Sequence, residues 1–309
     1  MVWWVIAWIA GADTCEYYGS AERVAELRDL AVTESSGVAQ SRTREGVWFT
    51  HNDNNNAAAL HAFDLDGNFI ESHAVRSAEN FDWEDLSAAP CPHGGDCLYI
   101  GDIGDNDGVR GGVTVYVVPE PRPGRATRAI ERWTGFYEDG LSHDAETLMV
   151  HPCTGRVHIV TKSAGQSAVY RFPAFPGADI VELEFVAFAA IDGEVTGGDF
   201  DADGDRVVLR TQSQISEWIV DPSRPNDHWG DVPTTVGGAA DLQGEAIAYS
   251  LDGSLVTTAE GEPMSIGFVP CEHLEPASHA CEYPTQCGCN RGGQSLVLLP
   301  FLALFRRRP

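Results

Sequence analysis

Short runs of β-branched and aromatic residues, set off by glycine, aspartate or asparagine, recur along almost the whole chain, while apolar residues at helical spacing are nearly absent. The clearest unit is Phe81-Asp82-Trp83-Glu84-Asp85-Leu86-Ser87-Ala88, followed by Leu98-Tyr99-Ile100-Gly101-Asp102. Weaker copies are Ser35-Ser36-Gly37-Val38-Ala39, Ala145-Glu146-Thr147-Leu148-Met149, Thr196-Gly197-Gly198-Asp199-Phe200 and Gly244-Glu245-Ala246-Ile247-Ala248. The second residues stand at 36, 84, 146, 197 and 245, so the steps are 48, 62, 51 and 48 residues. That period is one at which a single supersecondary unit recurs as a propeller blade.

Each copy leads to a turn glycine (Gly46, Gly95, Gly155, Gly204 or Gly253) and then to a second β-rich run, such as Val47-Trp48-Phe49-Thr50 or Val157-His158-Ile159-Val160. A third run closes most repeats, as in Leu60-His61-Ala62-Phe63 and Ile215-Ser216-Glu217-Trp218-Ile219. A fourth strand fits residues 126–137 and 182–189. The pattern predicts an all-β chain: a single β-propeller of five or six blades, mostly of four antiparallel strands, the sixth being sought in the long 84-to-146 step. The last repeat lacks its fourth strand, which the stretch at 25–33 is expected to supply. Residues 21–30 fit an amphipathic helix or a strand equally.

Composition adds a strong acidic bias: 46 acidic against 20 basic residues, a formal net charge of −26. This speaks against nucleic acid or an anionic membrane surface as partner, since both need a basic face. It predicts a monomer kept soluble by its charge, with some carboxylates gathered for cations.

The ends carry different signals. Residues 1–12 read as a signal peptide: a short apolar run ending in Ala10-Gly11-Ala12, without a basic start and too short to span a bilayer. The propeller is expected over 13–270, a cysteine-containing linker over 271–290 and a membrane or sorting tail over 291–309. Eight cysteines in an exported chain read as disulfides. The expected pairs are Cys91 with Cys97 across a turn and Cys271 with Cys281; Cys15 and Cys153 are left over and could pair.

The blade geometry nominates a site. The start of each innermost strand and the end of the next lie at one mouth of the channel, which brings Ser36, Glu84, Glu146, Gly197 and Glu245 opposite Asn52, Asp53, Asp102, Asp105, Lys162, Arg210 and Glu260. Glu84, Glu146, Glu245, Asp102 and Asp53 are the candidate metal ligands; oxygen donors in a flexible ring favour Ca²⁺. Lys162, Arg210, Glu260 and Asn52 are candidates for ligand binding at the rim. The competing reading makes the carboxylates clips that accept backbone N–H groups from the adjoining blade. Asp201-Ala202-Asp203-Gly204-Asp205 occupies a hairpin position and lacks the spacing of a calcium loop, so it reads as a turn.

The motifs Asp82-Trp83-Glu84-Asp85-Leu86, Gly101-Asp102-Ile103-Gly104-Asp105-Asn106, Asp144-Ala145-Glu146, Val195-Thr196-Gly197-Gly198-Asp199 and Gln243-Gly244-Glu245-Ala246-Ile247-Ala248 resemble a group of exported bacterial propellers without a settled function. More distantly the chain is similar to calcium-dependent propeller phytases and lactonase-like propellers, which implies an acidic, metal-holding channel; it lacks the lysine-rich face of a phytase. Cys287-Gly288-Cys289, the apolar run from Ser295 and Arg306-Arg307-Arg308 resemble MYXO-CTERM tails, which implies Gram-negative export to the periplasm or outer surface, with release after tail processing. Two functions follow as expectations. One is a surface module binding a small-molecule or surface ligand; the other is a metal-dependent hydrolase of a phosphoester or lactone.

Overall fold

The structure, a computed structural model, describes residues 13–173, 180–221, 226–238 and 244–276. The stretches expected to be a signal peptide at 1–12 and a sorting tail at 291–309, and the expected linker beyond residue 276, lie outside the described residues. Two strands open the chain, β1 (Asp13–Tyr18) and β2 (Glu22–Leu27). Blade one follows as β3 (Ser35–Gln40), β4 (Trp48–Asn52), β5 (Ala59–Phe63) and β6 (Phe69–Arg76). Blade two is β7 (Trp83–Pro90), β8 (Asp96–Asp102), β9 (Val113–Pro119) and, beyond the two-residue β10 (Thr127–Arg128), β11 (Glu131–Tyr137). Blade three is β12 (Ala145–Val150), β13 (Val157–Thr161), β14 (Ala168–Arg171) and β15 (Ile180–Phe188). Blade four is β16 (Val195–Phe200), β17 (Arg206–Thr211), β18 (Gln214–Ile219) and β19 (Thr234–Gly238). Blade five is β20 (Gly244–Tyr249), β21 (Leu255–Ala259) and β22 (Met264–Val269), and β23 (Cys271–Pro276) ends the described chain.

The fold is a five-bladed β-propeller. Its innermost strands close a ring, β3 packing against β7, β7 against β12, β12 against β16, β16 against β20 and β20 back against β3. Strand β2 pairs antiparallel with β22 and completes blade five, so the closing strand spans Glu22–Leu27, a few residues earlier than the sequence suggests. The same pairing settles the helix-or-strand ambiguity at 21–30 in favour of a strand. There is no sixth blade within the long step: its extra length holds β10, which runs parallel to β6 at the edge of blade one. Strand β11 also pairs in parallel with β15, so blades two and three share one eight-stranded sheet.

Five apolar clusters cement the blades. Between blades one and two, for example, Phe49 and Leu60 meet Trp83, Leu86 and Ile100, and Val38 and Trp48 meet Ala246, Val256 and Met264 where blade five closes on blade one. These side chains are removed from water in alternating register, which is the main free-energy gain of the fold. The five hairpin glycines all have positive φ, as tight turns between right-twisted strands require.

Both chain ends meet in a ribbon of β1 and β23, fastened by a disulfide between Cys15 and Cys271. This corrects the expected Cys271–Cys281 pair: antiparallel pairing puts Cys15 and Cys271 5.6 Å apart at Cα, a contact invisible at a sequence separation of 256. Cys281 lies outside the described residues. Cys153 is disulfide-bonded as well, but Cys15 is not its partner. Cys91 and Cys97 are bonded across their turn, as expected. Disulfides persist in oxidising compartments, consistent with an exported chain. Among the described residues no helix is long and apolar enough to cross a membrane.

Candidate functional site

The mouth of the channel is built by a bulge that recurs at the start of every innermost strand. Pairing slips at Ser36-Gly37 in β3, Glu84 in β7, Glu146 in β12, Thr196 in β16 and Glu245 in β20. A bulge leaves its residue out of the ladder and turns its side chain away from the sheet. In blade four the position belongs to Thr196 and not to Gly197, one residue from the sequence-based alignment.

What occupies the bulge decides what it does. Ser36 donates its hydroxyl hydrogen to the Glu84 carbonyl 2.8 Å away, and Thr196 donates to the Gly244 carbonyl at 2.9 Å, so two of the five positions are clips between neighbouring blades. The other three carry Glu84, Glu146 and Glu245. Backbone N–H groups are instead clasped by Asp85 and Asp199, deeper in the channel. Asp85 accepts from Leu86 and Leu148, and Asp199 accepts from Tyr249. Ser87 lies between them, 3.5 Å from Asp199 and accepting from the Val150 N–H. This polar plug, in which Asp85 and Ser87 are buried and Asp199 half-buried, floors the channel, which makes the mouth a cup.

In the cup, Asp53, Asp82 and Glu84 each offer one carboxylate oxygen, and the three oxygens lie within 4.8 Å of one another. Among the described residues no other three His, Cys, Asp or Glu side chains meet so closely. The backbone of Gly104 forms the wall they lean on: a Cβ there would lie 2.1 Å from Glu84 Oε1 and 2.5 Å from Asp82 Oδ2. Glu84 is only 3 % exposed. Burial, then the charges of Glu146, Asp53 and Asp82, push its carboxyl well above the ordinary range. Asp53 is raised to about 6 by burial and by Asp82 and Glu260. Carboxylates raised by both burial and one another take up a proton or a cation readily.

Glu146, Asp102, Arg210 and Asn52 are already engaged by cations, carboxylates or backbone. Glu146 Oε1 accepts from Lys162 Nζ at 2.6 Å; burial still raises Glu146 to about 7, against the pull of Lys162. Glu245 is raised to about 7 by burial and by Glu260, with Lys162 and Arg210 opposing. Asp102 accepts from Arg110 at 2.7 Å and from the Asp82 N–H, below the trio instead of within it. Arg210 does not stand at the rim. Its side chain is fully buried, donates to the Ala246 carbonyl, and lies where any Cβ on residue 244 would collide with it, which is why glycine stands there. Asn52 is likewise spent on structure, its amide bonding the backbone of Ala31, Thr33 and Glu34. Glu260 stands close enough to raise both Glu245 and Asp53.

Two residues in the mouth were not singled out as ligands from sequence. Asp82 precedes its bulge by two positions, as Asp144 does in blade three, and that shared offset was the available signal. Arg110 gave none; it sits in the loop between β8 and β9, bonding the Gly104 carbonyl and Asp102 while lying over the Phe81 ring.

No protein-family model matches the chain, and no curated protein matches it. Many solved structures are similar to it. They include the soluble aldose sugar dehydrogenase of Escherichia coli in its apo form, with 10 % identity, TM-score 0.49 and coverage of 82 % of this chain and 99 % of that one. A calcium-binding protein, regucalcin, from Agrobacterium tumefaciens has 13 % identity and TM-score 0.44 over 86 % and 99 % of the two chains. An auxiliary nutrient binding protein from Bacteroides thetaiotaomicron has 11 % identity and TM-score 0.44 over 85 % and 76 %. At such identities and scores, none carries its activity over to this chain.

Proposed function

We propose that the chain is an exported, monomeric, cell-surface-associated propeller whose acidic cup holds a hard divalent cation, Ca²⁺ before others, and uses it to bind a small-molecule or surface ligand. The supporting observation is the convergence of Asp53, Asp82 and Glu84. Ca²⁺ takes oxygen ligands at about 2.3–2.6 Å, so oxygens on opposite sides of one ion stand up to roughly 5 Å apart, and a trio within 4.8 Å can share it. The donors are carboxylates alone, which favours Ca²⁺ or Mg²⁺ over zinc. Glu146 and Glu245 form the facing wall, and Lys162 beside them offers a positive group to an anionic ligand seated on the metal. Residues 291–309 serve in this reading as the sorting tail.

Thermal melting in EDTA, Ca²⁺, Mg²⁺ and Zn²⁺, repeated on Glu84→Gln, tests it. A cation that binds only the folded state stabilises by about 2.7 kcal/mol at a hundredfold excess over Kd. Calcium should raise the melting temperature of the native sequence most and leave the variant unmoved. A melting temperature indifferent to every cation would overturn the proposal. Metal-dependent turnover in a parallel screen of phosphoesters and lactones, lost in Glu84→Gln, would make the module a hydrolase.

A further inference from the structure

A second concavity opens between blades three and four, on the same face as the acidic cup. Its walls come from the β13–β14 turn at Gly165 and Gln166, from the segment after β15 at residues 189–192, and from Gln214 at the start of β18, with Val232, Pro233 and Thr235 completing it. Its volume is about 410 Å³, within the range of small-ligand sites.

The lining has a distinct chemistry. Neutral amides stand on it, Gln166 and Gln214, with the Thr235 hydroxyl and one carboxylate, Asp192. Aliphatic surface faces them from Ala190, Ile191 and Val232, the last 93 % exposed. Among the described residues no lysine or arginine lines the cleft. Immediately behind the wall, Ala189 N donates to the Ser167 carbonyl and Ala190 N to the Trp229 carbonyl. The Ser167 hydroxyl and the Trp229 indole N–H, both buried, have no hydrogen-bond partner among the described residues. Neither of these side chains lines the cleft, so its chemistry is set by the lining alone.

We propose that this cleft binds an uncharged, polyhydroxylated ring of the sugar class. An anionic ligand would meet Asp192 and no cation, and a purely apolar one would strand two amides and a hydroxyl. A sugar ring offers a C–H face to Ala190, Ile191 and Val232, and adjacent hydroxyls to Gln166, Gln214 and Asp192. The site does not depend on the cation in the cup.

Isothermal titration of the full chain with glucose, galactose, N-acetylglucosamine and myo-inositol, beside glucuronate and glucosamine, provides the test, run in EDTA and again in Ca²⁺. At least one neutral probe should bind at millimolar concentration in both buffers, with the anionic glucuronate about tenfold weaker. Ala190→Trp, which fills the cleft from an exposed position, should abolish binding, and Gln166→Ala should weaken it about tenfold, with any calcium-induced rise in melting temperature unchanged in both. Should Ala190→Trp fail to fold, Gln166→Ala and Asp192→Asn, both at exposed positions, decide the matter. No binding of any neutral probe, tighter binding of the charged ones, or binding indifferent to these substitutions would overturn the proposal.

Discussion

Lys162 Nζ lies 2.6 Å from Glu146 Oε1, so blade three carries its own counter-cation while blades one and two leave Asp53, Asp82 and Glu84 to face one another. The cup is therefore divided: one half is neutralised from within the chain, and in the other Arg110 offsets Asp82 in part, which leaves Asp53 and Glu84 to a proton or an added cation. Lys162→Met should leave Glu146 buried and unpaired, lowering the melting temperature in EDTA. Calcium should recover more of the loss than it adds to the native sequence, because the field in the cup becomes more negative. The double variant Lys162→Met/Glu146→Gln should regain most of the stability, and a coupling energy near zero in that cycle would show the pair to be inert.

Gly104 gives a sharper test of the cation half. A Cβ at this position would fall on the Glu84 and Asp82 oxygens, both at the ends of side chains, so Gly104→Ala should spread the carboxylates without unfolding the blade. Calcium affinity, measured by titration calorimetry, should fall at least about tenfold, or ~1.4 kcal/mol. Circular dichroism should be unchanged. Full affinity in the variant would place the cation elsewhere.

The Cys15–Cys271 and Cys91–Cys97 disulfides should differ in weight. On a chain-entropy argument, closing a loop of 256 residues stabilises by roughly 5 kcal/mol and closing one of 6 by roughly 2. Cys15→Ser/Cys271→Ser should therefore lower the denaturation midpoint more than Cys91→Ser/Cys97→Ser. Because β2 stays paired with β22, the first double variant should keep its closed ring and gain protease sensitivity in the β1–β23 ribbon alone. Cleavage within blade five would show that the ribbon, and not β2, holds the ring shut.

The blades were legible because each repeats a local signal: a bulge motif, a turn glycine and three β-rich runs, all within about fifty residues. Glu84, Glu146 and Glu245 were legible for the same reason, since residues at equivalent places in a radial repeat must face one axis. What sequence could not show was how each is answered. Arg110 neutralises Asp102 from a loop outside the repeat, and Arg210, charged and therefore expected at a rim, is buried against the glycine at position 244. The parallel pairs β10–β6 and β11–β15 and the Cys15–Cys271 link join segments with no repeat relationship. The one-residue slip at Thr196 arose because neighbouring glycines, Gly197 and Gly198, offer no side chain to fix the alignment.

The polar plug beneath the cup predicts how stability follows pH. Asp199 is half-buried, and desolvation raises it to about 8, although the Tyr249 and Phe200 N–H groups favour its charged form. In the unfolded chain it ionises near 4. Between those values the unfolded state gives up a proton that the native state keeps, so stability is greatest below pH ~4 from this group and is lost as pH rises towards 8. A single such group gives a slope of about 1.4 kcal/mol per pH unit. In EDTA, urea denaturation from pH 5 to pH 8 should show stability falling, and Asp199→Asn, which cannot ionise, should fall less steeply. Asn should be the less stable protein at pH 5, where it gives up part of the hydrogen bonding of the protonated carboxyl, and should close the gap by pH 8. Calcium should flatten the native slope from the other direction, since Asp53 and Glu84, also raised, would then be held ionised by the metal. Parallel slopes for the native sequence and Asp199→Asn would mean that Asp199 is ionised in the native state across the range, and that the floor of the channel is wetter than its burial implies.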